Sequence, residues 1–177
     1  AHYRTIAAAD WVHLGTNAHA PLLRRLVADR VPFSVDVSTA HDALPLHGVP
    51  IVFASSPDDP RTAVEPLVAK LKAAGASEVV VTCGSRGAFF SDGGALQHAP
   101  AMPVSVVDTC GAGDSFIASF LAAFRIARRP AAEALRQATA DAAQTCLYIG
   151  GFPQRPRKIP AWLLEKYAEV IDPAERA

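Results

Sequence analysis

Glu78–Thr82 (EVVVT) constrains the fold of this chain more than any other stretch. A continuous valine run suits a strand covered on both faces, as strands of a parallel sheet are, better than a half-solvated strand. Its surroundings agree. Trp11–Leu14 (WVHL), Phe33–Val37 (FSVDV) and Ile51–Ala54 (IVFA) read as further short apolar strands. Between them lie helical patterns. Pro21–Arg30 has Pro at a first-turn position and Leu22, Leu23, Leu26 and Val27 on one face. Arg61–Ala74 carries Val64, Leu67, Val68 and Leu71 at helical spacing, with Gly75 where a capping glycine belongs. Ser38–Val49 is polar and punctuated by Pro and Gly, and reads as loop. Ala88–Ser91 and Ala95–His98 flank Asp92-Gly93-Gly94 as a hairpin. Helices follow over Asp114–Ala127, Ala131–Leu147 and Trp162–Val170. Strands alternating with helices predict an α/β fold with a mostly parallel sheet, and a single domain over residues 1–177.

With 177 residues, half of them apolar, the chain is long enough for one substantial core. Lys and Arg together number 17 and so do Asp and Glu, so no basic face for nucleic acid or acidic tail is expected. Cys83, Cys110 and Cys146 are odd in number and lack CxxC spacing, which disfavours a disulfide framework or zinc site and points to a reducing compartment. No apolar run approaches the roughly 20 residues that span a bilayer. The expectation is a cytoplasmic protein, acting on small molecules rather than on nucleic acid or membrane.

Chemistry concentrates in Asp108-Thr109-Cys110-Gly111-Ala112-Gly113-Asp114-Ser115-Phe116. Two glycines and an alanine before a long apolar helix let backbone N–H groups approach an anion closely. The helix N-terminus adds bare amides and a positive dipole end. Asp114, in the first turn, is placed to take the proton of an attacking hydroxyl while the loop holds a phosphoryl group. On spacing alone, a plain helix start with turn glycines is an equal reading.

DTCGAGDSF resembles the C-terminal motif of the ribokinase family, the pfkB carbohydrate kinases. The resemblance implies a three-layer α/β/α ribokinase-like fold and an ATP-dependent phosphotransferase acting on a hydroxyl of a sugar-like acceptor. It implies Asp114 as catalytic base and Gly111, Ala112 and Gly113 as the anion hole. Thr82-Cys83-Gly84-Ser85-Arg86-Gly87, after the strongest strand, is similar to the family's Thr-x-Gly-x-x-Gly segment, which lies against ATP. On that basis Thr82, Gly84, Ser85, Arg86, Gly87, Gly113 and Thr139 are expected on the nucleotide side. Thr139 stands where the family often has Asn, and Arg86 is either a phosphate ligand or a solvated turn residue. Ser55-Ser56-Pro57-Asp58 occupies the place of the family's Asn-x-x-Glu. There Asp58 either serves a hydrated Mg²⁺ or belongs to an ordinary polar turn. Asp108, Cys110 and Gly150 match positions whose carbonyls bind a monovalent cation such as K⁺ in some relatives.

The remaining candidates have simpler readings. Cys110 is expected to pack rather than react. The six histidines form no metal spacing and read mostly as surface or loop residues. Asp36 either faces the site or forms a strand-end turn. The resemblance covers only the later part of the family pattern. It implies that the N-terminal portion, with the acceptor-binding residues and a β lid that often forms homodimers, is absent. That part, or a companion chain, is then an expected partner, and this chain alone an expected weak enzyme with exposed strand edges. A nucleoside kinase of the same family, or a nucleotide-binding fragment without activity, is the alternative.

Overall fold

The structure, a computed structural model, describes residues 2–151 and 160–168. Six strands form one sheet in sequence order: β1 (Val12–Leu14), β2 (Phe33–Asp36), β3 (Ile51–Ser55), β4 (Glu78–Thr82), β5 (Ala88–Ser91) and β6 (Gln97–Ala99). β1 to β4 are mutually parallel, and β5 and β6 return antiparallel. The valine run therefore lies centrally, with Val79, Val80 and Val81 wholly buried.

Strand alternation divides the core into two layers. On one side Val35, Val52, Ala54, Val79 and Val81 meet Leu23 and Leu26 of α2 (Ala20–Ala28) and Val68 and Leu71 of α3 (Glu65–Ala73). On the other, Ile51, Phe53, Val80, Ala88 and Phe90 meet α4 (Ala112–Leu121) and α5 (Ala131–Thr145) through Phe116, Phe120, Ala134, Leu135 and Ala138. Helices on both sheet faces make this the expected three-layer α/β/α fold.

Several boundaries move. A helix that the sequence reading did not include, α1 (His2–Ala7), precedes β1. It is fixed by tertiary contacts rather than periodicity: Tyr3 donates its hydroxyl to Asp29 (2.6 Å) and stacks under the Arg25 guanidinium. α3 begins at Glu65 rather than Arg61, because Asp59 caps Arg61 through backbone and side chain and holds a turn there. α4 changes pitch after Leu121 into a π-helical turn, Ala122–Ile126. That turn carries Arg125 to an ion pair with Glu78, at the start of β4. The last helix, α6, covers Ala161–Lys166; the end expected at Val170 lies outside the described residues.

The ion pair sets the direction of α4. Its C-terminal extension lies at the N-terminal end of β4, so α4 runs antiparallel to the parallel strands. Its N-terminus accordingly sits at their C-terminal ends, where α/β sheets bind ligands.

Candidate active site

The loop into α4 is held open by contacts on both flanks. Asp108 accepts the Cys110 amide on Oδ1 (2.9 Å) and the Gly150 amide on Oδ2 (2.8 Å). Those two donors hold its carboxyl below the ordinary carboxylate range. Gly111 adopts φ +74°, and a Cβ there would stand 3.2 Å from Cα of Gly151. Gly151 (φ +81°) would in turn press a Cβ to within 2.8 Å of the Cys110 carbonyl. Two backbones thus meet where only glycines fit. Gly151 was missed in the sequence; the Gly150-Gly151 pair was its signal.

The amides this arrangement leaves over define the site. Those of Gly111, Gly113 and Asp114 have no acceptor among the described residues, whereas Ala112 donates to the Thr109 carbonyl (3.2 Å). The anion hole expected from the resemblance comprises Gly111, Ala112 and Gly113. The Thr109–Ala112 turn uses the Ala112 amide, and the bare set is Gly111, Gly113 and Asp114. A Cβ at Gly113 would meet nothing within 4 Å, so open space lies over the loop. Asp114 is exposed on the first turn of α4. The two best-formed cavities, near 360 and 340 Å³, lie elsewhere. The first opens beside Trp11, Arg30 and Arg125, by the Glu78 end of the sheet, and the second between α3 and the β5–β6 turn.

The second loop is built as a clamp. Asp58 accepts the Ser85 amide and hydroxyl (both 2.9 Å), which lowers its pKa. Arg86 donates to the carbonyls of Thr62 (2.8 Å) and Pro57 (2.7 Å). Gly84 (φ +55°) lies so close to Asp58 that a Cβ would collide with its carboxylate, and at Gly87 (φ +86°) a Cβ would fall 2.1 Å from the Ala99 carbonyl. Two expectations change with this. Arg86 directs its guanidinium to backbone carbonyls, not to an open phosphate position. Asp58 ties the 55–58 turn to the 84–87 turn, and no group of three His, Cys, Asp or Glu residues able to hold a metal occurs among the described residues. Thr82 remains at the strand end, its hydroxyl 3.4 Å from the Ser55 hydroxyl and the Ala54 carbonyl. Thr139 is buried within α5 with its hydroxyl returned to the Arg136 carbonyl (3.0 Å).

The carbonyls of Asp108, Cys110 and Gly150 accept no backbone hydrogen bond among the described residues, which suits oxygen ligation of a monovalent cation. Cys110 is exposed and free; Cys83 is buried, and burial raises its thiol pKa.

A third group of residues joins the site from the sheet. His13 and Asp36 both lie within electrostatic reach of Asp114. Burial raises the pKa of Asp36, with Asp114 acting in the same sense, against the Ser38 amide and His13. His13, expected as a surface or loop residue, stands on β1. Its ring packs edge-on against Phe53 (centroids 5.8 Å apart), and desolvation lowers its pKa although part of the residue stays exposed.

A family model described as pfkB family carbohydrate kinase matches residues 39–156, the span that contains both glycine loops and the Asp58 turn. The chain belongs to the pfkB family of carbohydrate kinases. Among curated relatives of this pfkB chain, the fructosamine kinase FrlD of Bacillus subtilis is 46% identical over 78 residues, 44% of this chain and 27% of the relative. The fructoselysine 6-kinase of Escherichia coli is 42% identical over 103 residues, 56% and 38% respectively. These matches span well under half the length of either relative. Among solved structures, Arabidopsis thaliana ribokinase complexed with ribose and ATP superposes with TM-score 0.71 at 24% identity, covering 85% of this chain and 54% of that one. That likeness establishes the ribokinase-like fold. Among the described residues no helix is long and apolar enough to cross a membrane.

Proposed function

We propose that the protein transfers the γ-phosphoryl group of ATP to a primary hydroxyl of a sugar or sugar derivative, with Asp114 as the general base. The observation that carries this reading is one turn of helix. It presents three amides that have no acceptor among the described residues, those of Gly111, Gly113 and Asp114, together with an exposed carboxylate. Asp114 takes the proton of the acceptor hydroxyl, whose oxygen then forms the new bond to phosphorus as the bridging bond to the leaving diphosphate breaks. The bare amides and the α4 dipole stabilise the charge on the phosphoryl oxygens.

The Thr82–Gly87 turn flanks the nucleotide, with Gly84 and Gly87 allowing close backbone approach. Asp58, Ser85 and Arg86 hold that turn in shape. When bound, Mg-ATP supplies the phosphoryl group and the cation that offsets its charge. Mg²⁺ would be held through phosphates and water rather than through a protein cage, with Asp58 as the carboxylate the family resemblance offers it. K⁺ on the carbonyls of Asp108, Cys110 and Gly150 would steady the same loop.

The named activities of the two relatives favour a fructosamine-type acceptor. The test is ADP release by the intact protein with Mg-ATP and a panel of fructoselysine, fructose, ribose and adenosine. Turnover with fructoselysine or fructose supports the proposal. Turnover confined to adenosine would make it a nucleoside kinase. ATP binding without turnover on any acceptor would reduce it to a nucleotide-binding module.

A further inference from the structure

The sheet face beneath α4 changes character across its width. Under α4 and α5 it is apolar: Ile51, Phe53, Val80, Phe90. On β2 and β1 the same face carries Ser34, Asp36 and His13, while Phe33 and Val35 turn to the other side. His13 is the cross-strand partner of Ser34, and Asp36 that of Phe53. Parallel strands with both faces in a core are ordinarily apolar on both. Here Ser34 is wholly buried, Asp36 half-buried and His13 exposed on the edge strand, so the face turns polar where it opens to solvent.

Hydrogen bonding fixes the imidazole. The Ser34 hydroxyl is wholly buried, lies 3.0 Å from the Trp11 indole nitrogen and 2.9 Å from His13 Nδ1. Indole N–H only donates, so it fills one lone pair of Ser34, which keeps its proton and a second lone pair for His13 Nδ1. Ser34 thus tethers Nδ1, and Nε2 is the ring nitrogen without a partner among the described residues. Phe53 sets the ring plane. Asp36 uses Oδ1 on the Ser38 amide (2.7 Å), and its other oxygen has no partner among the described residues.

We infer that His13 and Asp36 are acceptor-positioning residues, which grip two neighbouring oxygens of a polyhydroxylated substrate beside Asp114. His13 Nε2–H donates to one oxygen, and the free oxygen of Asp36 receives the hydroxyl proton of the next. A donor and an acceptor side by side suit a vicinal diol or hydroxy-ketone, as in an open or cyclic ketose. The inference rests on the kinase reading and extends it to the substrate's own atoms.

The test uses the intact protein with fructoselysine and D-fructose as probes. His13→Asn and His13→Phe should raise the acceptor KM roughly 3- to 10-fold, the size of one net hydrogen bond, and leave the ATP KM unchanged. His13→Gln, whose amide nitrogen falls near the Nε2 position, should recover most of that loss. If His13→Phe matches wild type, the ring only packs on Phe53 and the inference is overturned. Because these variants strand the Ser34 hydroxyl and could unfold, the wild-type side-chain ¹⁵N spectrum gives a second reading. A saturating sugar probe should shift the His13 Nε2 resonance, and no shift with either probe overturns the inference. Loss of the kinase reading is seen separately, as absent ADP release.

Discussion

The two faces of the sheet are made from the same strands and do different work. The face under α2 and α3 is largely aliphatic, with Val, Leu and Ala packed around Phe33 and the buried thiol of Cys83. The face under α4 and α5 is built of larger rings: Phe53, Phe90, Phe116, Phe120 and Phe124 form a contiguous aromatic set. That set seats α4 against the sheet, and the seat determines where Asp114 stands. Beyond it the face turns polar at Ser34, Asp36 and His13. One layer therefore supplies stability alone, while the other also positions the chemistry.

Substitutions should separate the two roles. The largest effect is expected at Phe120, wholly buried and in contact with other rings. Phe120 meets four rings in all, Phe90 included, so Phe120→Ala should cost about 3–5 kcal/mol in denaturant unfolding and also lower kcat of the folded fraction, because α4 loses its seat. Leu71→Ala, on the other face, should cost about 2–5 kcal/mol and leave kcat of the folded fraction intact. Equal kcat losses in the two variants would break the distinction.

Gly111→Ala should come next. A side chain at φ +74° costs about 1–2 kcal/mol, and its Cβ would push against Gly151. The same change should weaken ATP binding, measurable by calorimetry, since the added methyl would shift the loop that aims the bare Gly111 amide.

The smallest effects are the most specific in sign. Asp36 has a raised pKa, so the native state holds its proton more tightly than the unfolded chain does. Stability then falls as pH rises from the ordinary value of 3.8 through the raised one. Asp36→Asn should therefore raise Tm at neutral pH by an amount worth under about 1 kcal/mol, given partial exposure, and the gain should vanish below that window. Asp108 has a lowered pKa, and its contribution is present above the ordinary 3.8 and lost as pH falls through the depressed value. Asp108→Asn should lower Tm at neutral pH and converge with wild type in acid. Identical signs for the two variants would contradict the electrostatic account.

The sequence made the strands of the parallel sheet and the two glycine loops legible, because valine runs and φ-restricted turns are local signals. What it hid was long-range. α1 depends on a hydrogen bond from Tyr3 to Asp29, 26 residues away. Arg86 and Asp58 stayed between ligand and turn readings, because nothing local reveals that one meets the 57–62 backbone and the other Ser85. Thr139 looked available because a back-bonded hydroxyl is invisible in sequence. His13 looked incidental: its meaning comes from a cross-strand neighbour 21 residues on and from a carboxylate a hundred residues later. Asp114 itself was legible through the glycines before it, although its neighbours on the sheet were not.

Steady-state turnover of Asp114→Asn in the intact protein, with ATP affinity measured on the same sample, bears most directly on the role of that carboxylate. Removing the base should lower kcat by about 10²–10⁴-fold while the Kd for ATP stays near wild type. An Asp114→Asn protein that turns over at the wild-type rate would contradict the account.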